Sequence, residues 1–200
     1  DGFAVDNPQL RVNSPTFALD NRIYVANGLR GGTVSRHGGN DQPGTKKGKA
    51  LSIRGRDFRF SPRSMRFEAV SGESQFGMAF DDWGRRFVCW NRNPLRHVVL
   101  PTFAASRNRF HVPPSVVADI TPVGPDSRIR PLTRNWTTSN LHQGTFTAAC
   151  GIAFYRESLL EELRGNAFTC EPTGNLVHRD VHKPEGATFS SKSGRAKVEF

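Results

Sequence analysis

The chain has 200 residues, 36% of them apolar with no long uncharged run, which excludes a membrane-spanning helix and sets the size of one ordinary domain or a slice of a larger one. Its 28 basic and 18 acidic side chains give a net charge of +10, but the charges are scattered through turn-rich sequence, which excludes a disordered polybasic tail. Nineteen Gly, thirteen Pro and fifteen Phe against two Met favour short strands joined by tight turns over a helical bundle, so the chain reads as all-β.

In chain order, the first pattern is Ser14-Pro15-Thr16-Phe17-Ala18-Leu19 followed by an Asp20-Asn21 turn and a second apolar strand, Ile23-Tyr24-Val25-Ala26, that ends in Asn27-Gly28. Asp57-Phe58-Arg59-Phe60 then turns at Ser61-Pro62-Arg63-Ser64 into Met65-Arg66-Phe67-Glu68-Ala69-Val70, with side chains alternating at period two. The hairpin grammar returns in Gln75-Phe76-Gly77-Met78-Ala79-Phe80, the turn Asp81-Asp82-Trp83-Gly84, and Arg85-Arg86-Phe87-Val88-Cys89-Trp90-Asn91. A third copy opens with Cys150-Gly151-Ile152-Ala153-Phe154-Tyr155, carries a predicted helical insert over 158–164, and closes with Gly165-Asn166-Ala167-Phe168-Thr169-Cys170. Leu176-Val177-His178-Arg179-Asp180-Val181 and Ala187-Thr188-Phe189 supply its outer strands, and Lys197-Val198-Glu199-Phe200 reads as one more strand. In each copy Asp, Asn and Gly provide the backbone angles of a hairpin, while alternating Phe, Ile, Val and Ala give a half-buried face.

The copies recur at intervals of roughly sixty and then seventy-odd residues, longer than a compact propeller blade, and the Gly/Pro/Asn-rich stretches 31–48 and 122–140 absorb the excess. The expectation is a partial β-propeller: about three four-stranded antiparallel blades with long inter-blade loops, each blade burying its faces on the next. Three blades are fewer than the four to eight that close a ring. Residues 1–200 are therefore expected to be a fragment of one propeller domain cut at both ends, and the absence of a leader before Asp1 says nothing about export.

Of the 28 basic residues only six are lysines, and Lys46, Lys47 and Lys49 beside Gly44 and Gly48 read as a solvated loop. Arg11, Arg54, Arg85, Arg128 and Arg179 lie in separate turn or strand-end contexts, without the stripe and interleaved aromatics of a nucleic-acid surface, so no nucleic-acid partner is expected. Cys89, Cys150 and Cys170 are too few and too far apart for a disulfide scaffold and form no CxxC pair. They are expected as buried thiols, with one disulfide plus a spare as the alternative.

Asp57-Phe58-Arg59-Phe60, Ser74-Gln75-Phe76-Gly77, Phe80-Asp81-Asp82-Trp83-Gly84-Arg85-Arg86-Phe87, Thr137-Thr138-Ser139-Asn140-Leu141-His142, Gly144-Thr145-Phe146-Thr147-Ala148-Ala149-Cys150-Gly151 and Cys170-Glu171-Pro172-Thr173-Gly174-Asn175-Leu176-Val177-His178-Arg179 together resemble the membrane-bound dehydrogenase propeller domain of bacterial PVC-type haem-binding proteins, over residues 8–200. That family is similar to the soluble glucose and aldose dehydrogenase propellers. Its members carry a CxxCH cytochrome domain and often helical repeats further along the chain. The resemblance implies an exported, periplasmic or extracellular oxidoreductase that oxidises a sugar or alcohol and passes electrons to a quinone such as pyrroloquinoline quinone (PQQ), to a haem c domain outside this chain, or both. The alternative is a non-catalytic propeller that binds carbohydrate or protein.

In a propeller, ligand groups come from strand ends and blade-linking segments. The densest polar stretch of that kind is Arg134-Asn135-Trp136-Thr137-Thr138-Ser139-Asn140-Leu141-His142-Gln143-Gly144. His142 is the candidate catalytic base for a sugar or alcohol hydroxyl, or a histidine that ties loop carbonyls together. Arg134, with Arg128 and Arg130 upstream, has the guanidinium geometry to clamp quinone carboxylates. Trp136, as a stacking surface or as blade packing, and Asn140 are candidate cofactor contacts. Glu171, Asn175 and Arg179 form the next cofactor-binding group, with His178 beside Arg179 but on the opposite sheet face by alternation. Asp81 and Asp82 read as the ordinary hairpin signal, no set of oxygens for calcium can be assembled, and no metal is assigned. No Ser-His-Asp order, Walker loop or dinucleotide fingerprint occurs.

Overall fold

The computed structural model describes residues 1–36, 50–110, 113–133, 144–195 and 197–200. The chain is all-β, and three four-stranded antiparallel sheets follow one another along it. The first begins with β1 (Asn13–Phe17) and β2 (Ile23–Ala26); a two-stranded ribbon of β3 (Thr33–Val34) and β4 (Leu51–Ser52) intervenes before β5 (Asp57–Phe60) and β6 (Phe67–Val70), giving the order β1-β2-β5-β6. The second holds β7 (Met78–Phe80), β8 (Arg86–Trp90), β9 (Asn93–Val98) and β10 (Val117–Asp119), the last two separated by the single-turn helix α1 (Thr102–Ala105). The third holds β11 (Cys150–Phe154), β12 (Ala167–Glu171), β13 (Leu176–Glu185) and β14 (Thr188–Ser193). Each four-stranded sheet is thus a simple meander, and all three have the same strand order.

The turn chemistry explains where the strands reverse. Asn21 adopts φ 57° between β1 and β2, and the Ala18 N–H donates to the Arg22 carbonyl at 2.9 Å. Between β7 and β8, Asp81 accepts from the N–H groups of Trp83 and Arg85 at 3.0 and 2.9 Å, so the acid closes its own turn. In the third sheet the expected helical insert shrinks to a 3-10 turn at Glu161–Leu163. Arg164 is already extended at ψ 130°, and Gly165 returns its N–H to the Tyr155 carbonyl at 2.8 Å, so the turn lasts only long enough to bury Leu163.

The strand expected at 197–200 does not form. Phe200 donates one backbone bond to Val177 at 3.3 Å, and Glu199 turns its side chain inward onto His178. Two strands that the sequence patterns miss, β9 and β10, complete the second sheet. Pro94 interrupts the donor pattern of β9, and the three residues of β10 are too short to display a period.

The three sheets share one edge. Asn13 Nδ2 and the Gly28 N–H donate to the carbonyls of Gln75 and Ser74 at 2.8 and 2.9 Å, joining the start of the first sheet to the start of the second. Ala149 and Gly151 donate to the carbonyls of Asn91 and Phe76 at 3.0 and 2.9 Å, joining the second to the third. The first strands are neighbours, β1 on β7 and β7 on β11. Their close approach requires Gly77, where a Cβ would sit 3.0 Å from Cys89 Sγ and 3.1 Å from the Gly151 nitrogen.

Apolar side chains fill the space between the sheets. Phe87, Cys89 and Leu95 of the second sheet meet Ile152, Ala167 and Phe189 of the third. Ala26 packs with Met78 and Val88 between the first and second. All three cysteines are free thiols; Cys89 is fully buried, which pushes its thiol up to about 12, and Cys150 lies opposite Cys170 across β11 and β12.

A buried carboxylate ties the first sheet to the second. Asp57 has no exposed surface and accepts from the Ser74 N–H at 2.8 Å, Ser74 Oγ at 2.7 Å and the Asn27 N–H at 3.2 Å. Arg86 of β8 approaches it at 3.5 Å and donates to the Ser71 carbonyl. Burial pushes the Asp57 carboxyl up and the Arg86 guanidinium down, so each depends on the other to stay charged. Removing one partner strands the other: Asp57→Ala is expected to lower unfolding free energy by about 3–5 kcal/mol, with Asp57→Ala/Arg86→Met recovering part of it. Urea titrations test this, and a loss below about 1 kcal/mol in the single variant would contradict it.

Candidate functional site

The connections between strands gather at the shared edge. Residues 27–56, 71–77, 91–92, 120–149 and 172–175 all connect strands there, and among them are the longest connections of the chain. The polar stretch lies in the fourth of these. Arg134, Trp136, Asn140 and His142 fall outside the described residues. The flanks of the stretch are fixed: Leu132 donates to the Gly174 carbonyl and Ile129 to the Gly144 carbonyl, both at 2.9 Å. Of the two described flanks, Leu132 therefore sits against the turn that follows β12, and Gly144 sits against Ile129.

Among the described members of the second group, Glu171 and Arg179 have their side chains occupied by the protein itself. Glu171 has no exposed surface and accepts from the N–H groups of Thr147, Ala148 and Thr173 at 3.1, 2.9 and 3.1 Å, with Thr147 Oγ1 at 3.3 Å. It fixes the segment entering β11 to the turn leaving β12. Asn175 is exposed, takes the left-handed conformation at φ 53°, and ends the 3-10 turn Pro172–Gly174. Arg179 lies opposite Phe168, donates from Nε to Asn166 Oδ1 at 3.1 Å, and reaches the Glu162 carbonyl at 3.4 Å. These contacts direct it to the far hairpin, away from Glu171. The structure does not bring the three side chains together.

Alternation does place His178 on the other face of β13 from Arg179, and there the histidine is part of a polar cavity. His178 is 5% exposed; its Nδ1 lies 2.7 Å from Glu199 Oε2 and its Nε2 lies 3.7 Å from Asp180 Oδ1. Burial alone would lower its pKa, but the nearby Asp180 carboxylate and the hydrogen-bonded Glu199 raise it to about 9. For Glu199, burial is outweighed by the bonds from His178 and the Arg130 N–H, and its pKa falls below the ordinary value. At neutral pH His178 is thus a held cation, unsuited to act as a base. Arg128 and Arg130 line the same cavity of about 400 Å³, together with Phe146, whose ring meets the imidazole edge-on at 5.2 Å. The arginines that the sequence groups with Arg134 therefore stand beside His178.

The family model of a domain of unknown function (DUF7133) matches residues 1–200, the whole chain. The chain belongs to the DUF7133 family. No curated protein and no solved structure is similar to it at a significant level. Among the described residues of this DUF7133 domain, no three His, Cys, Asp or Glu side chains are grouped to hold a metal ion, and no helix is long and apolar enough to cross a membrane. Sequence reasoning missed the pairing of His178 with Glu199, which joins residues 21 apart through a segment that reads as a strand.

Two outcomes follow from these contacts. Glu171→Ala leaves buried N–H groups of Thr147, Ala148 and Thr173 without an acceptor and is expected to cost at least about 2 kcal/mol in urea unfolding; a fully stable variant would refute the structural role. The His178 pKa is raised on folding, so its stabilisation is complete below about pH 6.5 and disappears as pH rises through about 9. That contribution is roughly 3 kcal/mol. Unfolding midpoints measured at pH 6 and pH 9.5 should differ accordingly, and Glu199→Gln should flatten the difference.

Proposed function

We propose that the three sheets are consecutive blades of a β-propeller, and that this DUF7133 chain is a sector of an exported dehydrogenase that oxidises a sugar or an alcohol. Support for the propeller comes from the threefold recurrence of one meander order with neighbouring first strands, the arrangement in which twisted sheets bury one another around an axis. One observation carries the catalytic reading: the described residues flanking 134–143 are hydrogen-bonded, Leu132 to Gly174 and Gly144 to Ile129, beside the edge where the inter-sheet connections gather. Long loops held by a rigid scaffold are where propellers keep ligand groups.

In this reading His142 takes the proton of the substrate hydroxyl, Arg134 clamps a carboxylate of the cofactor, and Trp136 and Asn140 orient it. PQQ, when bound, supplies the hydride acceptor, and a haem c domain of the same polypeptide receives the electrons. Glu171 and Asn175 contribute by shaping the turn that accepts from Leu132; Glu171 has both oxygens engaged there, whereas Asn175 acts through its backbone and its exposed side chain remains open to the cofactor. The compartment is periplasmic or extracellular, as the family resemblance implies.

A second reading is favoured by a specific observation. The side chains of Glu171 and Arg179 are engaged in holding the fold, which is what a non-catalytic propeller that binds carbohydrate or protein requires. Dye reduction by the full-length protein, supplied with PQQ and calcium and a panel of aldoses and alcohols, separates the two. The dehydrogenase reading expects turnover that falls by about 10²–10⁴-fold in His142→Ala and is lost in Arg134→Ala. Glycan binding without turnover under any of these conditions would establish the second reading instead.

A further inference from the structure

The cavity beside His178 lies between residues 121–130 and the outer strands β13 and β14, so what it binds is independent of the dehydrogenase reading. Its wall carries two buried polar atoms with no partner among the described residues, Asp180 Oδ2 and Thr121 Oγ1, in residues only 2% and 8% exposed. Asp180 Oδ1 accepts from Ser191 Oγ at 2.9 Å and lies 3.7 Å from Nε2 of the charged His178, whose Nδ1 is held by Glu199. An orphaned carboxylate oxygen calls for a donor, and an orphaned hydroxyl can both give and accept. Leaving such atoms dry costs free energy that only stability or a ligand can offset.

The mouth has a different character. Arg128, Arg130, Lys192, Arg195 and Lys197 contribute to the lining against the single carboxylate of Asp126. An inorganic anion would suit these cations, but deeper in it would meet the Asp180 carboxylate. A neutral sugar would satisfy the wall and leave the cations unused. One chemistry answers both ends: hydroxyl groups inward and a carboxylate outward. The cavity, about 400 Å³, is of the size that small-molecule sites occupy, and the Phe146 ring gives it an apolar side for the C–H face of a pyranose.

We propose that this cavity binds a sugar acid of the uronate type, free or as the end residue of a glycan. One ligand hydroxyl donates to Asp180 Oδ2 after a small rotation of that carboxylate, another pairs with Thr121 Oγ1, and the ligand carboxylate faces the guanidinium groups of Arg128 and Arg130. The binding is non-covalent and needs no metal.

Isothermal titration of the full-length protein with glucuronate tests it, with glucose and inorganic phosphate as the two partial ligands. Glucuronate is expected to bind at least about tenfold more tightly than either, a gap of the size expected when one charge-assisted contact set is lost. Arg128→Ala/Arg130→Ala changes only exposed side chains and should weaken glucuronate by about tenfold or more while leaving glucose unaffected. Thr121→Val removes the orphaned hydroxyl, so it should weaken glucuronate while the melting temperature holds or rises, a combination that a purely structural threonine would not give. A glucuronate-terminated disaccharide separates the sources: tight binding marks a glycan end, and exclusion marks the free acid. The proposal is overturned if glucuronate does not bind at millimolar concentration, if phosphate binds as tightly, or if neither variant changes the affinity.

Discussion

Three sheets can share an edge only if the backbone groups of the connections crossing that edge find partners, because strand ladders end there. In this chain buried side-chain acceptors meet that demand. Asp57 collects the N–H groups of Asn27 and Ser74, and Glu171 collects those of Thr147, Ala148 and Thr173. Gln75 Oε1 takes the Asn91 N–H at 3.1 Å, and Asn27, itself without exposed surface, bonds the carbonyls of Ile53 and Arg56 at 2.8 Å. The apolar clusters between sheets are not directional and would tolerate sliding; these bonds set the register of one sheet against the next. Every loop that enters the candidate site starts or ends on such a fixed point.

The hairpins were legible in the sequence because their turn residues act locally. Asp20-Asn21 and Asp81-Asp82-Trp83-Gly84 encode reversals within four or five residues, and the strands beside them alternate. The pairing of β5 with β6, and of β13 with β14, followed the same logic. What lay beyond reach depends on distance along the chain. An aspartate at the start of β5 and a glutamate at the end of β12 look like solvated strand ends, and only the arrival of residues 74 and 147 makes them internal acceptors. The same holds for β10, whose pairing with β9 crosses the α1 segment, and for Glu199, whose inward side chain turns an apparent strand into a cap on His178. Of the site residues, Glu171, Asn175 and Arg179 were picked as polar groups near a strand end. Their partners, invisible in the sequence, are what determine their roles.

Histidine shows how environment separates like residues. His97 and His182 are packed among Phe87, Phe154 and Phe189 between the second and third sheets; burial, and then the charge of Arg85, lower their pKa values. They serve as neutral aromatic packing. His178, four residues before His182 on β13, has two carboxylates beside it and is held as a cation. One strand therefore carries an apolar histidine toward its far end and a charged one near the shared edge, and only the latter has an electrostatic field to offer a ligand.

The buried carboxylates sort in the same way, and the sorting separates scaffold from recognition. Asp57 and Glu171 use both oxygens on the protein's own donors, which leaves nothing to gain from an added molecule. Asp180 is just as buried, yet spends one oxygen on Ser191 and leaves the other without a donor, at a cavity whose mouth is cationic. Elsewhere the chain satisfies the interior carboxylates Asp57 and Glu171 with three or four bonds, whereas here a second orphan, Thr121, lines the same cavity. Two complementary orphans left apart in one cavity lose about one hydrogen bond each relative to closing on each other. A ligand that supplies both bonds at once recovers that loss.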